Sequence, residues 1–153
     1  MPRKRPRKFQ KSGVPVFVET KKKSELTVVT KAKELCSYIM TVTQKSPKQF
    51  RFTFVTRLQN LALDVIERIY RANEEHLVTG ATRRIEFQRT ALTDLKLLAY
   101  IAELAMTQGC LLPKQFEEIA KLATDCQHLL GAWINSDKKR MPQPHRGGEP
   151  APW

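Results

Sequence analysis

The sequence predicts an all-α protein: an up-down-up-down antiparallel four-helix bundle with disordered basic N- and C-terminal tails. Three observations carry this prediction. Phe50 to Asn73 runs without Pro or Gly and is apolar at Phe54, Leu58, Leu61, Val65 and Ile69, on one side of a 3.6-residue helix. Three further stretches show the same period, and short Pro- or Gly-bearing links separate all four. A helix with one apolar stripe draws most of its stability from packing, so each of the four needs the others.

Charge divides the 153 residues into a domain and two ends. Residues 1–23 hold nine Lys or Arg and one acid, Glu19, whereas residues 24–137 hold fourteen Lys or Arg against thirteen acids. Residues 138–153 hold four basic groups and one acid, so the net charge of +12 belongs to the ends rather than to the fold. The expected organisation is therefore a disordered basic arm (1–23), a four-helix bundle (24–137) and a disordered Pro/Gly-rich tail (138–153). Arg3, Lys4, Arg5, Arg7 and Lys8 form a cluster of the kind that binds nucleic-acid phosphates by counterion release, or else a solvated tail. Val14, Val16, Phe17 and Val18 read either as a short strand-like arm or as linker.

Within the bundle, helix one begins near Ser24, a suitable N-cap, and carries Val28, Ala32, Leu35, Ile39 and Val42 on its seam. Thr43 to Gln49 forms a loop in which Pro47 stops one helix or starts the next. Helix two spans Phe50 to about His76, and Gly80 lies in the turn that follows. Helix three spans Arg83 to Gln108 with Leu92, Leu95, Ala99, Ala102 and Met106 inward, and Gly109 caps it. Helix four opens at Pro113 and points Phe116, Ile119, Ala123, Cys126, Leu130 and Trp133 at the core, with the Trp133 indole N–H at a wet bundle end.

Enzymatic chemistry is not expected. A bundle di-metal site needs two Glu-x-x-His motifs, and the nearest match is the single Asp125-Cys126-Gln127-His128. There is no phosphate-binding glycine loop, no dinucleotide fingerprint and no nucleophile elbow, so no catalytic residue, metal or cofactor is assigned. His76 and His145 are read as surface groups without partners. Cys36, Cys110 and Cys126 lack C-x-x-C spacing and read as buried thiols in a reducing cytoplasm. No run approaches the roughly 18 apolar residues of a membrane span, and no apolar region follows the basic start, so neither membrane insertion nor secretion is expected.

What remains is basic groups on helical scaffolding. Lys45, Lys48, Arg51 and Arg57 gather around the start of helix two, and Arg83, Arg84 and Arg89 around the start of helix three. Antiparallel packing puts these two patches at opposite ends. Cations near a helix N-terminus oppose its dipole, which suits an anionic partner, although a solvated face accounts for them as well. Phe50, Phe52 and Phe54 interleave with Arg51, an arrangement suited to base stacking where a ring is exposed.

Two segments resemble a known family. Lys45-Ser46-Pro47-Lys48-Gln49-Phe50-Arg51-Phe52-Thr53, followed by Arg57 to Asp64, resembles the second-helix signature of the accessory variability determinant family of diversity-generating retroelements. Leu112 to Glu117 and Leu130-Gly131-Ala132-Trp133 look like that family's closing helix. The likeness covers about residues 26–135. A sister group, first noted as inserts in bacterial 23S ribosomal RNA genes, shares the architecture. It carries a Pro-containing run where this chain has Asn60 to Val65, which favours the first branch. The resemblance implies a cytoplasmic homopentamer that binds the retroelement's reverse transcriptase and nucleic acid during mutagenic copying of RNA into cDNA, the polymerase supplying the chemistry. The family's exterior basic positions map onto Lys48, Arg51 and Arg57 by motif, and onto Arg83, Arg84 and Arg89 by neighbourhood. The alternative is a structural or regulatory bundle of mobile-element origin that acts through protein–protein contacts only.

Overall fold

Proline and glycine punctuate this chain at three places, and the backbone turns at each. The computed structural model describes residues 23–141, as four helices: α1 (Lys23–Thr43), α2 (Thr56–Glu74), α3 (Ala81–Thr107) and α4 (Pro113–Arg140). The basic arm, with Arg3, Lys4, Arg5, Arg7, Lys8 and the Val14–Val18 segment, lies outside the described residues, as does the tail from 142 onward. No described helix is long and apolar enough to cross a membrane.

Each link has a local cause. After α1, the Gln44, Lys45 and Ser46 N–H groups turn back onto the carbonyls of Thr41, Val42 and Thr43, and Pro47, which has no N–H, ends the run. Between α2 and α3, His76 is partnered, contrary to the sequence reading: its Nδ1 accepts from the Val78 N–H at 3.1 Å and the Thr79 N–H at 3.4 Å. Gly80 completes that turn, where a Cβ would lie 2.7 Å from Glu75 Oε1. Gly109 has φ +89°, the left-handed region where only glycine is unstrained, and Cys110 N–H then donates to the Ala105 carbonyl at 2.8 Å. Pro113 opens α4, and Gln115 Oε1 reaches back to accept from the Leu112 N–H at 2.9 Å.

Short links force antiparallel neighbours, and contacts between helices follow the ring α1–α2–α3–α4–α1. Lys31 on α1 approaches Asp125 on α4, and Ser46 Oγ donates to the Cys110 carbonyl at 2.8 Å, tying the α1–α2 link to the α3–α4 link. One end of the bundle, here the corner end, therefore collects these two links. The other, the terminal end, collects the start of α1, the α2–α3 turn and the finish of α4.

The core follows the apolar stripes of α1, α2 and α4. Val28, Ala32, Leu35, Ile39, Val42, Leu58, Leu61, Val65, Ile69, Ile119, Ala123, Cys126, Leu130 and Trp133 are all buried, while Phe54 and Phe116 pack at its flank. Helix α3 is turned by one position from expectation. Leu95 and Ala102 are inward as read, but Ala91, Leu98 and Ala105 replace Leu92, Ala99 and Met106. The reason is that the seam continues through two buried polar residues, Arg84 and Gln88, giving alternating steps of four and three from Arg84 to Ala105. Alanines on this line let the helices approach closely, and the larger Leu92 and Met106 cover the edge. Trp133 also departs from expectation: it is 1% exposed, and its Nε1 is buried without a protein partner rather than at a wet edge. Cys36, Cys110 and Cys126 are free and buried; burial pushes each thiol up, Cys126 to about 12.

The two registers of α3 separate in a stability measurement. Leu98→Ala should cost about 2–5 kcal/mol by urea unfolding, as a fully buried leucine does. Leu92→Ala, at a half-buried position, should cost about half as much or less. Equal costs would contradict the seam described.

Candidate nucleic-acid interface

Between Glu34 and Asp64 the chain contains no Asp or Glu, yet it carries Lys45, Lys48, Arg51 and Arg57. Lys48, Arg51 and Arg57 are exposed and Lys45 lies beside them at the corner end, and among the described residues none of the four forms an ion pair. In a domain otherwise nearly balanced in charge, this leaves one region of uncompensated positive potential.

The backbone here is irregular. Helix two does not begin as an α-helix at Phe50: a 3₁₀ turn (Lys48–Phe50) leads into a π turn (Arg51–Val55), and α2 follows. The Arg51 carbonyl accepts both the Thr56 N–H and the Thr56 hydroxyl, the latter at 2.6 Å, and this pair of hydrogen bonds holds the widened turn. The turn sorts the three phenylalanines. Phe50 and Phe54 pack at a centroid distance of 5.8 Å and are half-buried, whereas Phe52 is 83% exposed. Of the rings read as stacking candidates, Phe52 alone has a free face, next to Arg51. Against the same turn lies a cavity of about 450 Å³ between the end of α1 and the start of α2.

The second predicted patch does not hold together. Arg83 is exposed, lies 3.1 Å from Glu75 and covers the Phe87 ring at 5.8 Å; Arg89 is exposed on α3. Arg84 corrects the sequence reading, because it is 2% exposed and has no open side toward a partner. Its Nε and Nη2 donate to the two oxygens of Asp137 at 2.6 and 3.2 Å, and its Nη1 donates to the Glu75 carbonyl at 3.0 Å. The guanidinium lies 5.3 Å over the Trp133 ring. Gln88 Nε2 and Arg140 Nη2 also donate to Asp137, each at 2.8 Å. Burial alone would push the Asp137 carboxyl up; the hydrogen bonds from Arg84, Gln88 and Arg140 outweigh it and hold the carboxyl below the usual aspartate range.

This cluster also extends the helix. Helix α4 runs to Arg140, three residues past the expected boundary at 137, so Lys138, Lys139 and Arg140 form its last turn and complement the helix dipole. The spacing holds a signal for the cluster. Asp137 continues the α4 seam after Cys126, Leu130 and Trp133 by a step of four, and Arg84 and Gln88 continue that of α3. Two opposite charges on two facing seams at one bundle end are placed to meet. Among the described residues, no group of three or more His, Cys, Asp or Glu is placed to hold a metal ion.

No family model matches the sequence, and no curated protein is significantly similar to it. Among solved structures, the fold is similar to that of a protein of unknown function from the S23 ribosomal protein family of Bacteroides thetaiotaomicron. The TM-score is 0.66 and the identity 18%, over 73% of this chain and 98% of that one. At this identity the likeness establishes a shared helical-bundle architecture.

The buried cluster predicts a specific acid sensitivity. A depressed folded-state pKa means that Asp137 contributes stability above the unfolded aspartate value of about 3.9, and that this is lost as pH falls through the folded value. Asp94, raised by its burial and by nearby Asp64 against the pull of Arg68, acts in the opposite sense and opposes this trend. Asp137→Asn should therefore lower the urea midpoint at pH 7 and flatten its decline between about pH 5 and pH 2. Arg84→Ala should cost about 3–5 kcal/mol by leaving a buried carboxylate uncompensated.

Proposed function

We propose that this chain is a non-catalytic, nucleic-acid-binding accessory subunit, acting through the corner end of the bundle. The observation that carries this reading is the acid-free run from Leu35 to Leu63, with Lys48, Arg51 and Arg57 exposed and, among the described residues, in no ion pair, and with Phe52 exposed in the same run. Cations held on helical scaffolding meet phosphates, and a free aromatic face accepts a base; together they suit a single strand better than a duplex. The segments from Lys45 to Thr53 and from Arg57 to Asp64, on which the resemblance to accessory variability determinants rests, are the same segments that build this corner. On that resemblance, the nucleic acid is the template RNA or its cDNA, and the second partner is the retroelement's reverse transcriptase. The chain would then organise the two while the polymerase performs the chemistry.

A second reading, contact with protein only, is favoured by one observation on α3. Tyr100 is 75% exposed and Leu104 53%, and with Glu103 and Thr107 they line a shallow depression of about 370 Å³ on the outward face. Large exposed apolar groups of this kind mark protein contacts. A homo-oligomer, with the pentamer that the resemblance implies, would use such a face, and a purely structural role needs nothing more.

RNA binding by the purified full chain separates the two readings. Replacing Lys48, Arg51 and Arg57 with Ala should weaken binding and reduce the slope of log affinity against log salt by about 0.7–0.9 for each phosphate left unneutralised. The three side chains are exposed, so the thermal unfolding midpoint should not move. Capture of the tagged protein from its host should bring down a reverse transcriptase and an enriched RNA. Unchanged RNA affinity in the triple variant, together with protein-only capture, would support the second reading.

A further inference from the structure

Three depressions on the described surface include a carboxylate: Glu34 in one, Glu117 and Glu118 in another, Glu103 in the third. Another, at the α1–α2 corner, is lined by two cations and no acid. We propose that this cavity is a seat for one phosphate group of a nucleotide, held by Lys48 and Arg51. The proposal rests on the nucleic-acid reading above and narrows it from a charged surface to one site.

The hydroxyls around the cavity form its frame and are not its donors. Thr43 Oγ1 donates to the Ile39 carbonyl, Ser46 Oγ to the Cys110 carbonyl and Thr56 Oγ1 to the Arg51 carbonyl, so each proton is already committed. Gln59 Nε2 donates to Thr43 Oγ1 at 2.9 Å and closes the back wall between α1 and α2. The side-chain donors left for a ligand are the Lys48 ammonium, the Arg51 guanidinium, the Gln44 amide and the second N–H of the Gln59 amide. Charged donors around an anion make the strongest hydrogen bonds available to a protein, and a guanidinium fork matches two phosphate oxygens at once. A phosphate between the two cations offsets one of their charges as a diester and nearly both as a terminal group, a task that no carboxylate of the cavity wall performs. The volume of about 450 Å³ exceeds a bare phosphate and accommodates the attached sugar. Phe52, exposed one residue after Arg51, lies outside the cavity wall and is a free ring for a neighbouring base rather than for the seated nucleotide.

The test is a ¹⁵N–¹H NMR titration of the full chain with inorganic phosphate, against chloride at equal ionic strength. Two uridine dinucleotides, one 5′-phosphorylated and one 5′-hydroxyl, follow as separate arms. Saturable shifts confined to amides between Thr43 and Gln59 are expected. Lys48→Ala with Arg51→Ala should weaken them at least about tenfold, leaving the rest of the spectrum in place. Saturation there by the 5′-hydroxyl dinucleotide identifies a backbone diester as ligand; saturation by phosphate and the 5′-phosphorylated form alone identifies a free or terminal phosphate. Both support the seat. Shifts equal to those of chloride, or undiminished in the double variant, overturn it. If RNA affinity still falls on neutralising Arg57 in that case, the seat fails and the nucleic-acid reading stands. Normal phosphate shifts with RNA affinity indifferent to Lys48 and Arg51 would leave the seat and remove that reading.

Discussion

A carboxylate with no exposure to water sits where α2, α3 and α4 meet, and the terminal end of the bundle is built around it. Asp137 accepts from Arg84, Gln88 and Arg140, while Arg84 also bonds a carbonyl at the end of α2 and covers Trp133. Replacing such a pair with apolar groups often costs nothing, so net stability is a weak reason for it. Register is a better one. Seams of repeated four-three steps can slide past one another by a turn and still bury apolar surface. A single bidentate pair is satisfied in one alignment and leaves a buried charge in every other.

The same feature explains what is legible in the sequence and what is not. The stripes of α1, α2 and α4 are apolar through most of their length, so their period identifies the inward face directly. On α3, two of seven seam positions are polar, and a pattern built on apolar residues alone drifts to Leu92, Ala99 and Met106. Arg84 reads as a surface cation for the same reason: a charge declares its type but not its partner, and the partner is 53 residues away. Gly109 and Pro113 are legible because each answers a backbone demand that few other residues meet. The π turn is not, since it depends on one threonine bonding one carbonyl twice.

The two ends of the molecule thus differ in kind. At the terminal end, the pair of Arg84 and Asp137 is internal, matched and closed off from solvent, beneath exposed cations of the α4 finish. At the corner end, charge is external and unmatched, on the part of the described chain where the helical backbone departs from α geometry. Irregular helical turns recur at functional sites because they redirect side chains that a regular helix would point elsewhere. Here the redirection leaves one ring of three uncovered.

An even number of antiparallel helices has one more consequence. It returns the finish of α4, with Lys138 and Lys139 exposed, to the end where α1 starts and where Arg83 is exposed, so cations occupy both extremities of the bundle. Between them lies the length of a helix such as α3, whose 27 residues at about 1.5 Å each span about 40 Å. At about 3.4 Å per nucleotide along a stacked strand, that distance corresponds to about 12 nucleotides. The fold in this sense sets a length: on the nucleic-acid reading proposed above, a polymer shorter than about a dozen stacked nucleotides would reach one extremity, and a longer one would reach both.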